Sequence, residues 1–265
     1  MRFGSGRSSN VVVASGGGGG GRGAIGIGGL VVLLIGAYFG VDTSGLVGGG
    51  GGAPADQTVQ QADLADETNN FLAAVLGDTE RVWGELFQRG NIDYPEPTLV
   101  RFSGGVSTAC GAADSRTGPF YCPADQKLYI DPSFFNELAQ MGAPGDFAAA
   151  YVIAHEIGHH VQNLEGTLDG RQSNEKSVAT ELQADCYAGI WAHYAESERD
   201  VLEDGEVEEG LAAAAAVGDD RLQEAAGQRV QPETFTHGSS EERARWFRTG
   251  FQSGEVGQCD TFAAM

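Results

Sequence analysis

Three histidines and one glutamate lie close together in the stretch AHEIGHHVQ, residues 154–162, of a 265-residue chain that has only five histidines. His155 and His159 are four residues apart, so on a helix their side chains share one face, where both can reach one metal ion. Glu156 follows the first histidine around the helix, which places its carboxylate beside the metal, where it can take a proton from a water. His160 lies about 100° away around the helix and is predicted to be a packing or surface residue. The pattern is typical of zinc-dependent hydrolysis.

A third metal ligand is expected elsewhere in the chain, because a catalytic zinc usually has three protein ligands and a water. Glu181, in ELQADCYAGIW, is the strongest candidate. Asp185 lies one turn further along the same helix face, where it can accept the ring N–H of His155 or His159. Two carboxylates at this spacing are costly among apolar residues unless a cation compensates them. Two alternatives remain: Asp185 is the ligand with Glu181 behind it, or the pair belongs to a solvated acidic stripe.

The residues around these motifs predict the helices that would position them. Apolar residues follow a helical period between Asp146, a good N-cap, and Leu164. A second helix is expected from about Ser173 to Tyr194. The motifs therefore lie on two neighbouring helices.

Shorter patterns predict the other elements of the domain. Residues 63–89 have a helical period, PTLVRFS and DQKLYID are typical of strands, and PSFFNELAQMG is typical of a short helix. Acidic, alanine-rich stretches between residues 201 and 227 predict one or two surface helices. Ser239 and Glu242 form a capping-box pattern that begins a last helix.

The first 57 residues differ in composition from the rest. Residues 1–23 are rich in glycine and serine and have three arginines and no acidic residue, so they are predicted to be a disordered basic tail. Residues 24–41 carry no charge over eighteen residues and predict a transmembrane helix; a cleaved signal peptide and a buried core helix are the alternatives. Residues 42–57 are predicted to be a Gly-rich linker, and residues 58–265 the folded domain.

Charge predicts where the chain lies and which partners it avoids. Arginines precede the apolar segment and Asp42 follows it, so the N-terminus is expected in the cytoplasm and the domain outside the cell membrane. The net charge of −21 argues against nucleic acid and against peripheral contact with anionic lipid. The alternative is an acidic surface that only aids solubility.

The four cysteines predict disulfides, because an even number occurs in a domain expected to face an oxidising space. No CxxC pair is present, which argues against a structural zinc cluster. We expect the pairs Cys110–Cys122 and Cys186–Cys259, although four cysteines permit three pairings.

Four stretches together resemble the YpfJ-type neutral zinc metallopeptidases: FYCPADQKLYIDPSFF, YVIAHEIGHHVQ, ELQADCYAGIWA and FTHGSSEERARWFRTGF. The resemblance covers roughly residues 66–262 and includes an N-terminal membrane anchor. It implies an α+β, zincin-like fold that is mainly helical, with a small β-sheet and an active-site helix pair, preceded by one transmembrane helix. HExxH followed by ExxxD is also similar to the gluzincin peptidases, in which the glutamate is the third zinc ligand.

The resemblance further implies a role for His237, because a late histidine in related gluzincins donates to the oxyanion of the tetrahedral intermediate. The alternative is that His237 only packs before the cap at Ser239. Tyr151, Tyr187 and Arg243 are weaker candidates, expected in the core, in the core and on a helix surface. By the same resemblance DQKLYID would be an exposed edge strand that pairs with substrate, or else an ordinary sheet strand.

The predicted function is that of a membrane-anchored, extracytoplasmic peptidase with Zn²⁺ as cofactor, a peptide or protein as substrate and Glu156 as general base. One alternative is a non-enzymatic envelope module with a structural zinc. The non-ligand glutamate argues against it, since structural sites usually fill the fourth position with a protein ligand. A second alternative is a zinc hydrolase of a non-peptide amide.

Overall fold

The computed structural model of the chain describes residues 1–15, 57–168 and 173–264. Its helices are α1 (Glu67–Arg89), α2 (Phe134–Gln140), α3 (Asp146–Glu165), α4 (Asn174–Arg199), α5 (Glu206–Ala216), α6 (Asp219–Ala225) and α7 (Ser240–Ser253). Its strands are β1 (Val11–Ser15), β2 (Thr58–Gln61), β3 (Thr98–Arg101), β4 (Gly105–Thr108), β5 (Gly111–Asp114), β6 (Phe120–Cys122) and β7 (Lys127–Ile130). The described residues thus form a mixed α/β fold in which helices predominate.

The predicted transmembrane helix, residues 24–41, lies outside the described residues, as does the predicted linker except for Gln57. Among the helices of the described part, none combines the length and the apolar character needed to span a bilayer.

One five-stranded sheet has the order β2-β1-β3-β7-β6, and β4 and β5 form a separate hairpin. The central strands β1, β3 and β7 are parallel, whereas β2 and β6 pair antiparallel at the two edges. DQKLYID contains β7, which lies between β3 and β6, so of the two alternatives the edge strand is wrong and the ordinary sheet strand is correct. The alternation of side chains predicts a strand, but pairing with neighbours decides its position in the sheet.

Residues 1–15 are an ordered part of the domain, so the prediction of a disordered tail is wrong for them. Val11 is buried, and β1 pairs with both β2 and β3. Ser8 donates a hydrogen bond to the buried Glu80 of α1. The prediction used the average composition of residues 1–23, which is rich in glycine and serine. It overlooked three consecutive valines, which favour a strand. Residues 16–23 of the predicted tail lie outside the described residues.

The pairing of β1 with β2 also fixes the positions of two residues that are far apart in the chain. Ser15 is the register partner of Thr58. Ser15 and Thr58 therefore lie side by side, at the end of β1 and the start of β2.

Helices α3, α4 and α7 approach closely because glycines lie at their contacts. A Cβ atom added at Gly158 of α3 would lie 2.9 Å from the Ala184 carbonyl oxygen of α4. One added at Gly250 of α7 would lie 1.9 Å from the Cys186 carbonyl oxygen. This backbone contact brings the side chains of all three helices into one buried cluster.

The caps and disulfides agree with the sequence patterns in most details. Helix α3 has Gly145 as its N-cap and begins at Asp146, one residue earlier than expected from Asp146 as the N-cap. Helix α4 has Ser173 as its N-cap and continues beyond Tyr194 to Arg199. The capping box at Ser239 is confirmed. Both expected disulfides, Cys110–Cys122 and Cys186–Cys259, are present.

Candidate metal centre

Three side chains that could bind a metal meet between α3 and α4. His155 Nε2 lies 3.1 Å from Glu181 Oε2, and His159 Nε2 lies 3.5 Å from Glu181 Oε1. One ligand atom from each residue lies within 4.8 Å of the others. All three side chains are buried because α3 and α4 lie in the interior along most of their length. The predicted pair of histidines and the predicted glutamate therefore come together at one point.

The cluster fits a zinc ion in both donor type and spacing. Two imidazoles and one carboxylate form a ligand set of catalytic zinc, which retains one position for water. Zinc bonds of roughly 2.0–2.2 Å in tetrahedral geometry place ligand atoms about 3.3 Å apart. The two distances from Glu181 to the histidines bracket this value.

Asp185 lies behind His155 and is fully buried, with an exposed fraction of 0%. Its Oδ1 accepts hydrogen bonds from His155 Nδ1 at 2.8 Å and from the Tyr151 hydroxyl. Arg243 donates to both carboxylate oxygens, from Nε at 2.8 Å and from Nη2 at 2.9 Å. A proton held on Nδ1 of His155 leaves Nε2 for a metal. In the structure Glu181, and not Asp185, lies among the candidate ligand atoms, and the pair is not a solvated stripe.

The carboxylates around His155 favour positive charge in the cluster. Burial alone would lower the pKa of His155, but Asp185 and Glu181 overcome this effect and raise the pKa to about 9. Burial would raise the pKa of Glu181, but the charges of His159 and His155 and the hydrogen bond from His155 hold it well below its usual range. A cation placed between the imidazoles and Glu181 would therefore be stabilised.

Glu156 is buried next to His155 on α3 but lies outside the ligand cluster. Burial raises the pKa of its carboxyl group, although His159 and His155 oppose the rise. The backbone of Tyr121 in β6 also opposes the rise, and β6 lies against α3. The glutamate thus lies on the helix that faces the edge strand of the sheet.

His237 lies on the loop before α7, held by Asp219 at the start of α6. Asp219 accepts backbone hydrogen bonds from Thr236, His237 and Gly238, and its Oδ1 lies 3.1 Å from His237 Nδ1. Burial lowers the pKa of His237, but Asp219 and the charge of Glu181 produce a net rise. A Cβ atom added at the neighbouring Gly238 would lie 3.2 Å from Leu182, the residue after Glu181, so the loop that carries His237 lies against the helix of the candidate metal centre.

Two side chains of the centre differ from the expectation or were not predicted. Arg243 was expected on a helix surface, but only 4% of it is exposed because it pairs with the buried Asp185. Asp219 was not predicted, because only the return of the chain between α6 and α7 brings it to His237. Tyr151 and Tyr187 are core residues as expected, and Tyr187 donates to Glu165.

Of the two alternatives for His160, packing or surface, the structure shows packing, and a partner for His159 was missed. His160 is buried, with Nδ1 3.0 Å from the Tyr121 hydroxyl and Nε2 2.7 Å from the Pro95 carbonyl oxygen. His159 Nδ1 lies 2.8 Å from Gln162 Oε1. The spacing i, i+3 on α3 could have indicated this contact from the sequence.

Known proteins resemble this chain over nearly its whole length. Residues 4–262 match the family model described as "putative neutral zinc metallopeptidase". The uncharacterized protein YpfJ of Escherichia coli strain K12 is 45% identical over 244 residues, 88% of this chain and 85% of the relative. The uncharacterized protein Rv2575 of Mycobacterium tuberculosis strain H37Rv is 43% identical over 226 residues, 78% of this chain and 76% of the relative. No solved structure matches the chain. By the extent of these matches, the chain belongs to the family of "putative neutral zinc metallopeptidases".

Proposed function

We propose that the protein is a zinc-dependent peptidase that hydrolyses peptide bonds in peptides or proteins. One observation carries the proposal: three buried ligand atoms are spaced for one zinc ion, with a glutamate beside them that is not a ligand. Zinc, when bound, supplies Lewis acidity that lowers the pKa of water and polarises a carbonyl group. Membership of the metallopeptidase family supports the choice of substrate class.

Glu156 acts as the general base in this proposal. Its carboxylate accepts a proton from the attacking water and then passes it to the leaving amine. The raised pKa caused by burial supports this role, because a carboxyl group with a pKa closer to neutral can both accept and release the proton.

His237 supplies a hydrogen bond to the developing oxyanion. Asp219 holds the Nδ1 side of the imidazole, and the net rise in the pKa of His237 favours the imidazolium form, in which Nε2 also carries a proton and donates toward the substrate. The contact of the adjoining Gly238 with Leu182, next to Glu181 on α4, supports a location of His237 beside the metal centre.

The substrate binds in an extended form along β6. This strand has the edge position that was one of the two alternatives for DQKLYID. Within the described sheet, β6 has β7 on one side and no strand on the other. It also lies against α3. A peptide that adds to the open side of an edge strand forms backbone hydrogen bonds, and it would run past Glu156.

Glu156→Gln tests the mechanism. The variant should bind about one zinc ion per chain but lose hydrolysis by about 10²- to 10⁴-fold, because the amide cannot accept the proton. Zinc is measured by elemental analysis and hydrolysis by mass spectrometry of a broad peptide library. Glu165→Gln is the control, since Glu165 is an exposed glutamate on the same helix that accepts a hydrogen bond from Tyr187 instead.

Retained hydrolysis in Glu156→Gln would refute the assignment of the base. A wild-type protein that binds zinc but cleaves no peptide, and that unfolds when zinc is removed, would favour a structural zinc. Cleavage restricted to amides outside peptides would refute the substrate class.

We also propose that the domain lies outside the cytoplasm, because both disulfides favour an oxidising compartment. The pairing of Ser15 with Thr58 supports a location of residues 1–15 on the same side of the membrane as the domain, in place of the cytoplasmic N-terminus expected from charge. A helix at residues 24–41 that crosses the membrane once would place Ser15 and Thr58 on opposite sides, so this proposal replaces the predicted single-pass anchor. Protease accessibility of tags placed before Met1 and after the C-terminus would separate the two topologies.

A further inference from the structure

We propose that the Cys186–Cys259 disulfide positions the zinc ligand His159 through a relay of two buried glutamine amides, so that zinc affinity depends on this disulfide. The relay runs from His159 to Gln162, from Gln162 to Gln183, and from Gln183 to the backbone of Cys259. The inference rests on the proposed zinc site and adds residues that orient one of its ligands.

The distances along the relay are those of ordinary hydrogen bonds. His159 Nδ1 lies 2.8 Å from Gln162 Oε1, and Gln162 Nε2 donates to Gln183 Oε1 at 2.9 Å. Gln183 Nε2 donates to the Cys259 carbonyl oxygen at 3.1 Å. All members are buried, so water does not compete for these groups.

The carbonyl groups at the end of the relay decide the direction of every bond. A backbone carbonyl can only accept, so Gln183 must present its NH₂ group to Cys259, and Gln162 its NH₂ group to the Thr180 carbonyl oxygen at 2.8 Å. The oxygen of Gln162 then faces His159 and requires a proton on Nδ1. The tautomer that leaves Nε2 for zinc is therefore the one that the relay selects.

The disulfide holds the end of the relay against the helix that carries Glu181. Cys186 is on α4, and the bond to Cys259 closes 73 residues of sequence separation. Thr261, two residues further on, donates to the Ala179 carbonyl oxygen of the same helix. Without the disulfide the segment that contains Cys259 loses its covalent attachment, and the acceptor for Gln183 is no longer held in place.

His155 is oriented independently, because its Nδ1 faces Asp185. The two histidine ligands therefore have separate supports, a carboxylate for His155 and the amide relay for His159. A change in the relay should weaken zinc binding without affecting the contacts of Asp185.

The test measures zinc affinity by competition with a chromophoric chelator. We expect Gln162→Met, which keeps the size of the side chain but removes its hydrogen bonds, to weaken zinc binding by about 10- to 100-fold. Gln183→Met and the double variant Cys186→Ala/Cys259→Ala should weaken it in the same direction, by a smaller factor. The visible spectrum of the Co²⁺-substituted protein should change in Gln162→Met, because the orientation of one ligand changes.

Two controls separate the relay from general destabilisation. Asn163→Leu removes an amide next to Gln162 that bonds Tyr121 instead, and Cys110→Ala/Cys122→Ala removes the other disulfide. Both should leave zinc affinity at the wild-type level. The melting temperature of the metal-free proteins shows which variants are folded, and the rise on zinc addition should be smaller in the relay variants alone.

The outcomes distinguish this inference from the proposed function. A wild-type protein that binds no zinc would refute the zinc site itself. Wild-type zinc binding with equal affinity in Gln162→Met and Gln183→Met would refute the relay. Loss of affinity in Gln162→Met, with full affinity in Gln183→Met and in Cys186→Ala/Cys259→Ala, would refute the dependence on the disulfide.

Discussion

Asp185→Asn, which replaces a carboxylate by an amide of nearly the same shape, should strongly destabilise the protein. The wild-type carboxylate accepts hydrogen bonds from Tyr151, from His155 and, on both oxygens, from Arg243. An asparagine must place its NH₂ group at one of the two oxygen positions. Either choice points donor against donor, because both positions face N–H or O–H groups.

The magnitude follows from the burial of the charge that remains. Arg243 is 4% exposed and its ion pair with Asp185 is at 2.8 Å, so the substitution leaves a buried guanidinium with only the more distant Glu181, at 3.9 Å, as counter-charge. Removal of one partner of a buried pair costs about 3–5 kcal/mol. Since domains are stable by about 5–15 kcal/mol, the free energy of unfolding should fall by a large fraction.

The double variant Asp185→Asn/Arg243→Met should be more stable than Asp185→Asn alone. Removal of Arg243 takes away the uncompensated charge and the clash with the asparagine NH₂ group, while the asparagine oxygen can still accept from His155. The two substitutions are therefore expected to be strongly non-additive.

Urea denaturation of the metal-free protein, with both disulfides intact, measures these differences without any contribution from zinc. Wild type, both single variants and the double variant form one cycle. A cost below about 1 kcal/mol for Asp185→Asn, or additive effects in the cycle, would refute the view that this pair is a buried and mutually dependent unit.

Two further predictions concern packing and the support of His237. Gly250→Ala should lower the free energy of unfolding in urea by about 1–3 kcal/mol or more, because its Cβ would meet the Cys186 carbonyl oxygen. Gly84→Ala is the control and should be neutral or stabilising, because there is open space around its Cβ. Equal effects of the two substitutions would contradict the glycine contact. Burial raises the pKa of Asp219, but His237 and backbone N–H groups produce a net fall below the usual 3.8. Its charged form therefore stabilises the fold above that pH. The difference in stability between wild type and Asp219→Asn should shrink as the pH falls from 3.8 through the lower pKa of the folded state. A difference that stays constant down to about pH 2 would contradict this prediction.

The sequence by itself predicted the features that depend on one element. His155 and His159 share a face because four residues make about one helical turn, so their spacing already indicates a shared metal ion. The capping box at Ser239 is likewise a contact within four residues. Glu181 and Asp185 were recognised as a pair by the same rule, but their order relative to the metal was left open.

Only the tertiary structure decided which groups meet across elements. It placed Glu181 at the histidines and Asp185 behind His155, since the relative position of α3 and α4 depends on the approach at Gly158. It buried Arg243, which its helix pattern alone placed at the surface.

The same distinction explains the sheet and the N-terminal segment. The order β2-β1-β3-β7-β6 depends on which strands pair, and alternation within DQKLYID carries no information about its neighbours. The valines of β1 form a strand because β2 and β3 complete their hydrogen bonds. Periodicity within one segment reports local backbone geometry, whereas partners that are distant in sequence are selected by the packing of the whole domain.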